Sequence, residues 1–402
     1  MKERSDFMKK IITKLAILSI LFNFTGTITA AAKTSCTKDF IKGNITDKTS
    51  AVREANGEEG IWLSTKALEF ALENKQYIGT DRDLDGLVIS AILSIPADYF
   101  SKAPQQAAVL MKYFIEIFKD FNDSSTVQIA VLQKIAAIKD KTDIKNFTAI
   151  LNEYIQNVNP GSDSSVIKAV INTLEITGNR DSFVILYNLW NNKRFSAFYE
   201  DIEKALINLS AFSVNEIIQI IRSKDITQTC KVFALTQKNS KISKNLLCEI
   251  SEISLSETIL LVDSASKFTN EVDNLQSQCL SILEENKWTR ASSIAIDYLR
   301  FCKKMFDNGV IKEEYFSRVI SSMAEISPIE SVNTLCALLE EFNNKKEKDE
   351  KLSIPVVKAV INTLGAIGNK TAFDYLLAVT YLSYPDEVLS AAREALAGLR
   401  WQ

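Results

Sequence analysis

Three groups of residues in this 402-residue chain have the types and spacing to do chemistry, and histidine belongs to none of them because the sequence contains none. That absence removes every Ser/His/Asp and Cys/His nucleophile system and every imidazole metal site. The first group, Asp81-Arg82-Asp83-Leu84-Asp85-Gly86, alternates carboxylates ahead of a glycine as the first half of a calcium loop does. Its twelfth position is Ile92, which supplies no bidentate carboxylate. Leu84, Leu87, Val88, Ala91, Ile92 and Ile95 already fall on one helical stripe. A capping and turn role is therefore expected for these aspartates in place of calcium binding.

The second group is Trp190, Lys193, Arg194, Phe195 and Tyr199. Large aromatics interleaved with cations are the residue types that anchor protein contacts, which makes these five the candidate partner-binding residues. The competing reading is packing between adjacent helices, because Phe198, Ile202, Ala205 and Leu209 continue a helical stripe. The third group is the cysteines. Cys230, Cys248, Cys279, Cys302 and Cys336 fall inside apolar helical patterns without a CxxC spacing and read mostly as small buried hydrophobes. A single bridge from Cys279 to Cys302 is the alternative that an antiparallel helix pair permits. No catalytic, cofactor-binding or metal-ligating set emerges, so the chain reads as a non-enzyme with no cofactor.

The elements that must position these residues are helices almost throughout. Ile144, Phe147, Leu151, Tyr154, Ile155 and Val158 make a second stripe, closed by Pro160 and Gly161. Val214, Ile217, Ile218 and Ile221 make a third, opened by a capping box of Ser213 and Glu216. Ser327-Pro328-Ile329-Glu330 predicts another helix start, with proline at the first helical position. Strand alternation and hairpin turns are scarce, so the fold class is all-α.

The chain also repeats itself. VIKAVINTLEITGNRDSF from Val166 and VVKAVINTLGAIGNKTAF from Val356 match at 11 of 18 positions with an offset of 190 residues, or about five units of 38. The turn Gly178-Asn179-Arg180 recurs as Gly368-Asn369-Lys370, with Lys139-Asp140-Lys141 in the same slot earlier. Glycine there predicts a left-handed helix C-cap. Pro385 to Leu399 predicts a closing helix with Leu389, Ala392, Ala395, Leu396 and Leu399 inward.

Val356 to Leu399 resembles a HEAT repeat of the kind also seen in bilin-lyase-like HEAT proteins, and Val166 to Leu209 is similar to a second copy. The resemblance implies an armadillo-type α-solenoid of stacked antiparallel helix pairs over residues 33–402, with 166–209 and 356–399 as its clearest repeats. Between Ile220 and Asn308 the Gly-Asn turn is missing, and repeat boundaries are not set there. Such a fold implies a scaffold or adaptor that binds a protein partner along its surface. Bilin lyases of this kind are enzymes, so an enzyme or accessory subunit of HEAT-like lyase type is the alternative, although no motif of that activity is visible.

Met1 to Ala32 has the parts of a signal peptide. Lys9, Lys10 and Lys14 precede the apolar run Leu15 to Phe24, and Ala30-Ala31-Ala32 offers small residues for cleavage. The expectation is an exported bacterial protein, periplasmic or in the cell envelope or secreted, with no membrane span in its mature part. Lipidation at Cys36 is a lesser alternative, since Lys33-Thr34-Ser35 makes a poor lipobox. Beyond Ala32 the chain carries 42 basic against 48 acidic side chains. Its one dense charge run, Asn343 to Lys351, mixes both signs, so no nucleic-acid partner is expected.

Overall fold

Apolar residues at helical spacing need a second helix to cover them, and this chain meets that need with helices alone. The computed structural model describes residues 35–138, 144–159, 161–262 and 268–400. The expected signal peptide, the Lys139-Asp140-Lys141 turn and Pro160 lie outside the described residues. Among those described there is no strand, only an isolated bridge between Asn369 and Arg400. The fold is all-α.

The chain divides between Phe147 and Thr148 into two compact units. In the first, α1 (Ser35–Lys42), α2 (Ile45–Glu54), α3 (Gly57–Ile78), α4 (Arg82–Ser94), the single turn α5 (Tyr99–Lys102), α6 (Pro104–Asp120) and α7 (Ser125–Ala137) follow one another. Helix α4 packs on both α2 and α7, while α3 packs on α6. The stripe read from the sequence, Leu84 to Ile95, is fully buried. Asp81 caps α4 by accepting a hydrogen bond from the Leu84 amide at 2.8 Å, so the calcium-like run serves as a helix start.

Helix α8 (Lys145–Asn157) carries the boundary. The second unit continues with α9 (Ser164–Thr177), α10 (Arg180–Trp190), a 3-10 turn (Lys193–Phe198), α11 (Tyr199–Ser210), α12 (Val214–Ile221), α13 (Ile226–Lys238) and α14 (Lys244–Leu261). It closes with α15 (Asn270–Glu285), α16 (Ser292–Asp307), α17 (Glu313–Ile326), α18 (Val332–Glu347), α19 (Ile354–Ile367), α20 (Phe373–Tyr381) and α21 (Asp386–Ala397). Every second helix touches the next one along, α9 to α11 to α13 to α15 to α17 to α19 to α21, forming one layer. The helices between them form the other: α10, α12, α14 and α16 touch in sequence, as do α18 and α20. Each helix thus meets its neighbours in the chain and the helices two along from it.

The internal repeat is exact in extent: α9 and α19 start and end 190 residues apart. Val170, Ile171 and Leu174 are buried in one, and Val360, Ile361 and Leu364 in the other. Even the helix-backbone bond of the buried threonine recurs, from Thr173 to the Ala169 carbonyl at 2.8 Å and from Thr363 to the Ala359 carbonyl at 2.7 Å. Five steps along the layer separate the two, as the offset suggested. The steps are uneven, since Ser164, Tyr199, Ile226, Asn270, Glu313 and Ile354 open these helices at intervals of 35, 27, 44, 43 and 41 residues.

Local details correct four expectations. Gly368 is left-handed, with φ of 71°, but Gly178 is extended, with φ of −64°. Glycine is needed at 178 for space, because a Cβ would lie 2.3 Å from the Leu174 carbonyl oxygen. Ser213 forms no capping box, since its backbone is not extended, and Ser213 Oγ and Glu216 Oε2 are buried without a hydrogen-bond partner among the described residues. Helix α18 starts at Val332 instead of beside Pro328, because the Ser327 hydroxyl is held by Ser292 at 2.6 Å. On α21 the buried stripe is Val388, Ala391, Ala392, Ala395 and Leu399, with Leu389 and Leu396 only half-buried. The helix packs on both α19 and α20, which turns the stripe by about one residue.

Candidate partner-binding site

The site begins at the end of α10. Asn179 starts this helix with a reciprocal cap: its Oδ1 accepts from the Ser182 amide at 3.0 Å, and Ser182 Oγ accepts from the Asn179 amide at 3.1 Å. Phe183, Tyr187 and Trp190 follow at i, i+4 and i+7 and share a face. The Tyr187 ring stacks on Phe183 with centroids 6.1 Å apart and meets Trp190, tilted, at the same distance. Tyr187 donates from its hydroxyl to Gln228 Oε1 on α13 at 2.5 Å. Burial pushes this phenol up to about 12, so it remains a neutral donor.

The 3-10 turn sorts the predicted residues. Asn192 opens it by accepting from the Arg194 amide at 3.1 Å. Lys193 and Arg194 point to solvent, Trp190 and Tyr199 are half-buried, and Phe195 is buried. Phe195 thus lies in the core, as the packing reading has it. The turn's kink at this residue carries its ring to within 6.4 Å of Phe198. Of the five candidates, Trp190, Lys193, Arg194 and Tyr199 keep exposed area.

The structure adds residues that the sequence reading did not include. Lys231 on α13 stands over the Trp190 ring, its Nζ 5.7 Å from the centroid, and donates to Asn191 Oδ1 at 3.0 Å. From Lys231 an open cleft of about 410 Å³ runs between α13 and α15. Thr227, Cys230, Lys231 and Ala234 form one wall, and Glu271, Asn274, Leu275 and Gln278 form the other, each set at i, i+3, i+4 and i+7. Phe233 and Leu275 are its buried apolar floor. These lining residues lay in the stretch where repeat boundaries were not set. Mostly polar residues at helical spacing on two helices of the same layer are the signal, but it needs the pairing of α13 with α15 before it reads as a groove.

Cys230 sits in this wall with its thiol 3.8 Å from the Glu271 carbonyl oxygen. Burial and the Glu271 carboxylate push the thiol up, so it lacks the thiolate character of a nucleophile. All six cysteines are free. The alternative, a Cys279 to Cys302 bridge, is therefore not formed. Cys302 instead lies in a buried polar network with Tyr298, whose hydroxyl meets that of Tyr315 and donates to Gln276 Oε1 at 3.3 Å. Gln276 in turn donates to Thr258 Oγ1 at 3.2 Å, joining α14, α15, α16 and α17.

Among the described residues no group of three acidic or cysteine side chains is arranged to hold a metal ion, and no helix is long and apolar enough to cross a membrane. Compared with known protein families and with curated proteins, the chain gives no match. The arrangement sets Lys231 over the Trp190 ring beside a cleft with an apolar floor.

Proposed function

We propose that this protein is an exported scaffold or adaptor, a HEAT-like solenoid that binds a protein partner along its stacked helices. The observation that carries the reading is the equivalence of α9 and α19, two helices of identical extent and matching buried faces five steps apart in one layer. Helices stacked in this way contact neighbours only and leave their outward residues free along an extended surface, which suits holding another chain. The half-exposed Trp190 with Lys193 and Arg194 supplies the residue types that anchor such contacts. Export rests on the cationic start, apolar run and Ala30-Ala31-Ala32 of the N-terminal segment.

Crosslinking of the native protein in its envelope fraction, followed by mass spectrometry, tests both parts. The expected result is a protein crosslinked to the second unit and a mature N-terminus near Lys33. An intact N-terminus in the cytoplasmic fraction would remove export, and a diacylated Cys36 would make the protein a lipoprotein. Failure to recover any crosslinked protein would remove the scaffold role.

A further inference from the structure

From Lys231 over the Trp190 ring, the exposed Lys193 and Arg194 of the following 3-10 turn and the adjoining cleft, we infer that this surface binds an acidic peptide segment of the partner, with carboxylates on Lys193, Arg194 and Lys231 and one apolar side chain on the floor between α13 and α15. The inference rests on the scaffold reading and deepens it by naming the site and the partner's chemistry.

Charge is the first argument. Several lysines between stacked helices of this unit are paired with carboxylates. Lys168 pairs with Asp201 at 3.2 Å, Lys204 with Glu175 at 3.1 Å and Lys358 with Glu387 at 2.8 Å. Among the described residues Lys193, Arg194 and Lys231 have no carboxylate partner. Two acids of α13 and α15 are otherwise placed. Asp225 caps α13 by accepting from the Gln228 amide at 3.1 Å, and Glu271 forms the opposite lip of the cleft. On a chain with an acidic excess, Lys231 over the Trp190 ring and the exposed Lys193 and Arg194 of the adjoining 3-10 turn, none with a carboxylate partner among the described residues, favour an acidic ligand over a basic one.

Shape is the second argument. Lys231 belongs to both features, standing over Trp190 on one side and lining the cleft on the other. A peptide engaging the cations therefore reaches the cleft without crossing another helix. There Thr227, Asn274 and Gln278 offer side-chain donors and acceptors to its backbone, and Phe233 and Leu275 offer an apolar seat. The cleft is open and small, suited to one side chain and its flanking peptide groups.

The probe is a fluorescein-labelled peptide of alternating Glu with one central Phe, titrated into the full chain at low salt and followed by anisotropy. The control is the same peptide with every Glu replaced by Lys. Binding of the acidic peptide alone, weakened at least tenfold in Lys231→Glu with Arg194→Glu and at least threefold in Trp190→Ala, supports the site. Both cations are exposed, and circular dichroism of the double variant confirms that it folds. No binding of the acidic peptide, equal binding of both peptides, or affinity unchanged by the double variant would overturn it. Crosslinks from the native partner that map away from α10, α13 and α15 would also overturn the site while leaving the scaffold reading intact; absence of any crosslinked partner removes the scaffold reading itself.

Discussion

Gly365 of α19 lies so close to Ala395 of α21 that a Cβ at 365 would stand 2.8 Å from the Ala395 Cβ and 2.9 Å from its Cα. The equivalent position in α9 is Glu175, which reaches α11 through Asn208 at 2.7 Å and Lys204 at 3.1 Å. One slot of the repeat is thus filled by close helix contact in one copy and by polar side chains in the other. Helix propensity alone would favour Gly365→Ala by about 1 kcal/mol. The steric overlap opposes it, and overpacking of this kind costs about 1–3 kcal/mol. We expect a net loss of stability in thermal melts, partly recovered when Ala395→Gly is added. A stabilised Gly365→Ala would show that the two helices part at no cost.

Leu174→Asp and Leu364→Asp each place a carboxylate in the buried face of matching helices. Each is expected to destabilise by about 3–5 kcal/mol, since an unpaired buried charge is involved. Lys346→Ala, at a half-buried position near the end of α18 with no buried charge created, should shift the melting temperature far less. Unequal losses between the two leucines would measure how far their surroundings have diverged.

Stability should depend on pH mainly on the alkaline side. Burial raises Tyr187 and Tyr384 from 10.0 to about 12 and Cys336 from 9.0 to about 11, and it raises Cys279, Cys302, Tyr298 and Tyr315 as well. The folded state holds these protons more tightly than the unfolded chain. Their contribution is therefore fully present below pH 9 and is lost as pH rises from 9 through 12. At the acid end, hydrogen bonds from Lys75 and Thr80 lower Asp123, whose contribution is lost as pH falls below about 4. With no histidine to titrate, melting temperatures should be level between about pH 6 and 8.5. A step in that interval would contradict this account.

Thiol labelling distinguishes the cysteines. Cys36 and Cys230 are half-buried and the other four are buried. Ellman's reagent should modify at most two thiols in the native protein and six in denaturant, with Cys230 slow because burial raises it. A native count above two, or a mass change on reduction, would contradict six free and mostly shielded thiols.

Tyr298→Phe removes one hydroxyl from the buried network. The buried Gln276 and the half-buried Tyr315 then lose a partner, which costs about 1–3 kcal/mol in denaturant unfolding. Tyr381→Phe, at an exposed position, is the control.

Much of the fold was legible because helical stripes are local. Leu84 to Ile95 could be read as one buried face from spacing alone, and the 190-residue offset placed α9 and α19 in register before any contact was known. The site was legible only in part. Trp190, Lys193 and Arg194 stand close in sequence, but Lys231 is 41 residues beyond Trp190 and the far wall of the cleft is another 40 beyond that. Pairing them requires the register between successive helices, and the intervals of 27 and 44 residues on either side of α13 hide it. Between contact and packing, Phe195 could not be decided from sequence, because a kinked 3-10 turn, not a continuing helix, sets which way its ring faces.

The unevenness of those steps also bears on how the second unit comes apart. A row in which each helix leans on its neighbours resembles a line of coupled switches, and its cooperativity is only as long-ranged as its weakest joint. Helix α12 has eight residues and buries only Ile217 and Ile221 along its length, less than its neighbours in the same layer. Amide exchange should therefore run in two blocks, one on each side of α12, so that the unit has two melting domains of stability within one continuous stack.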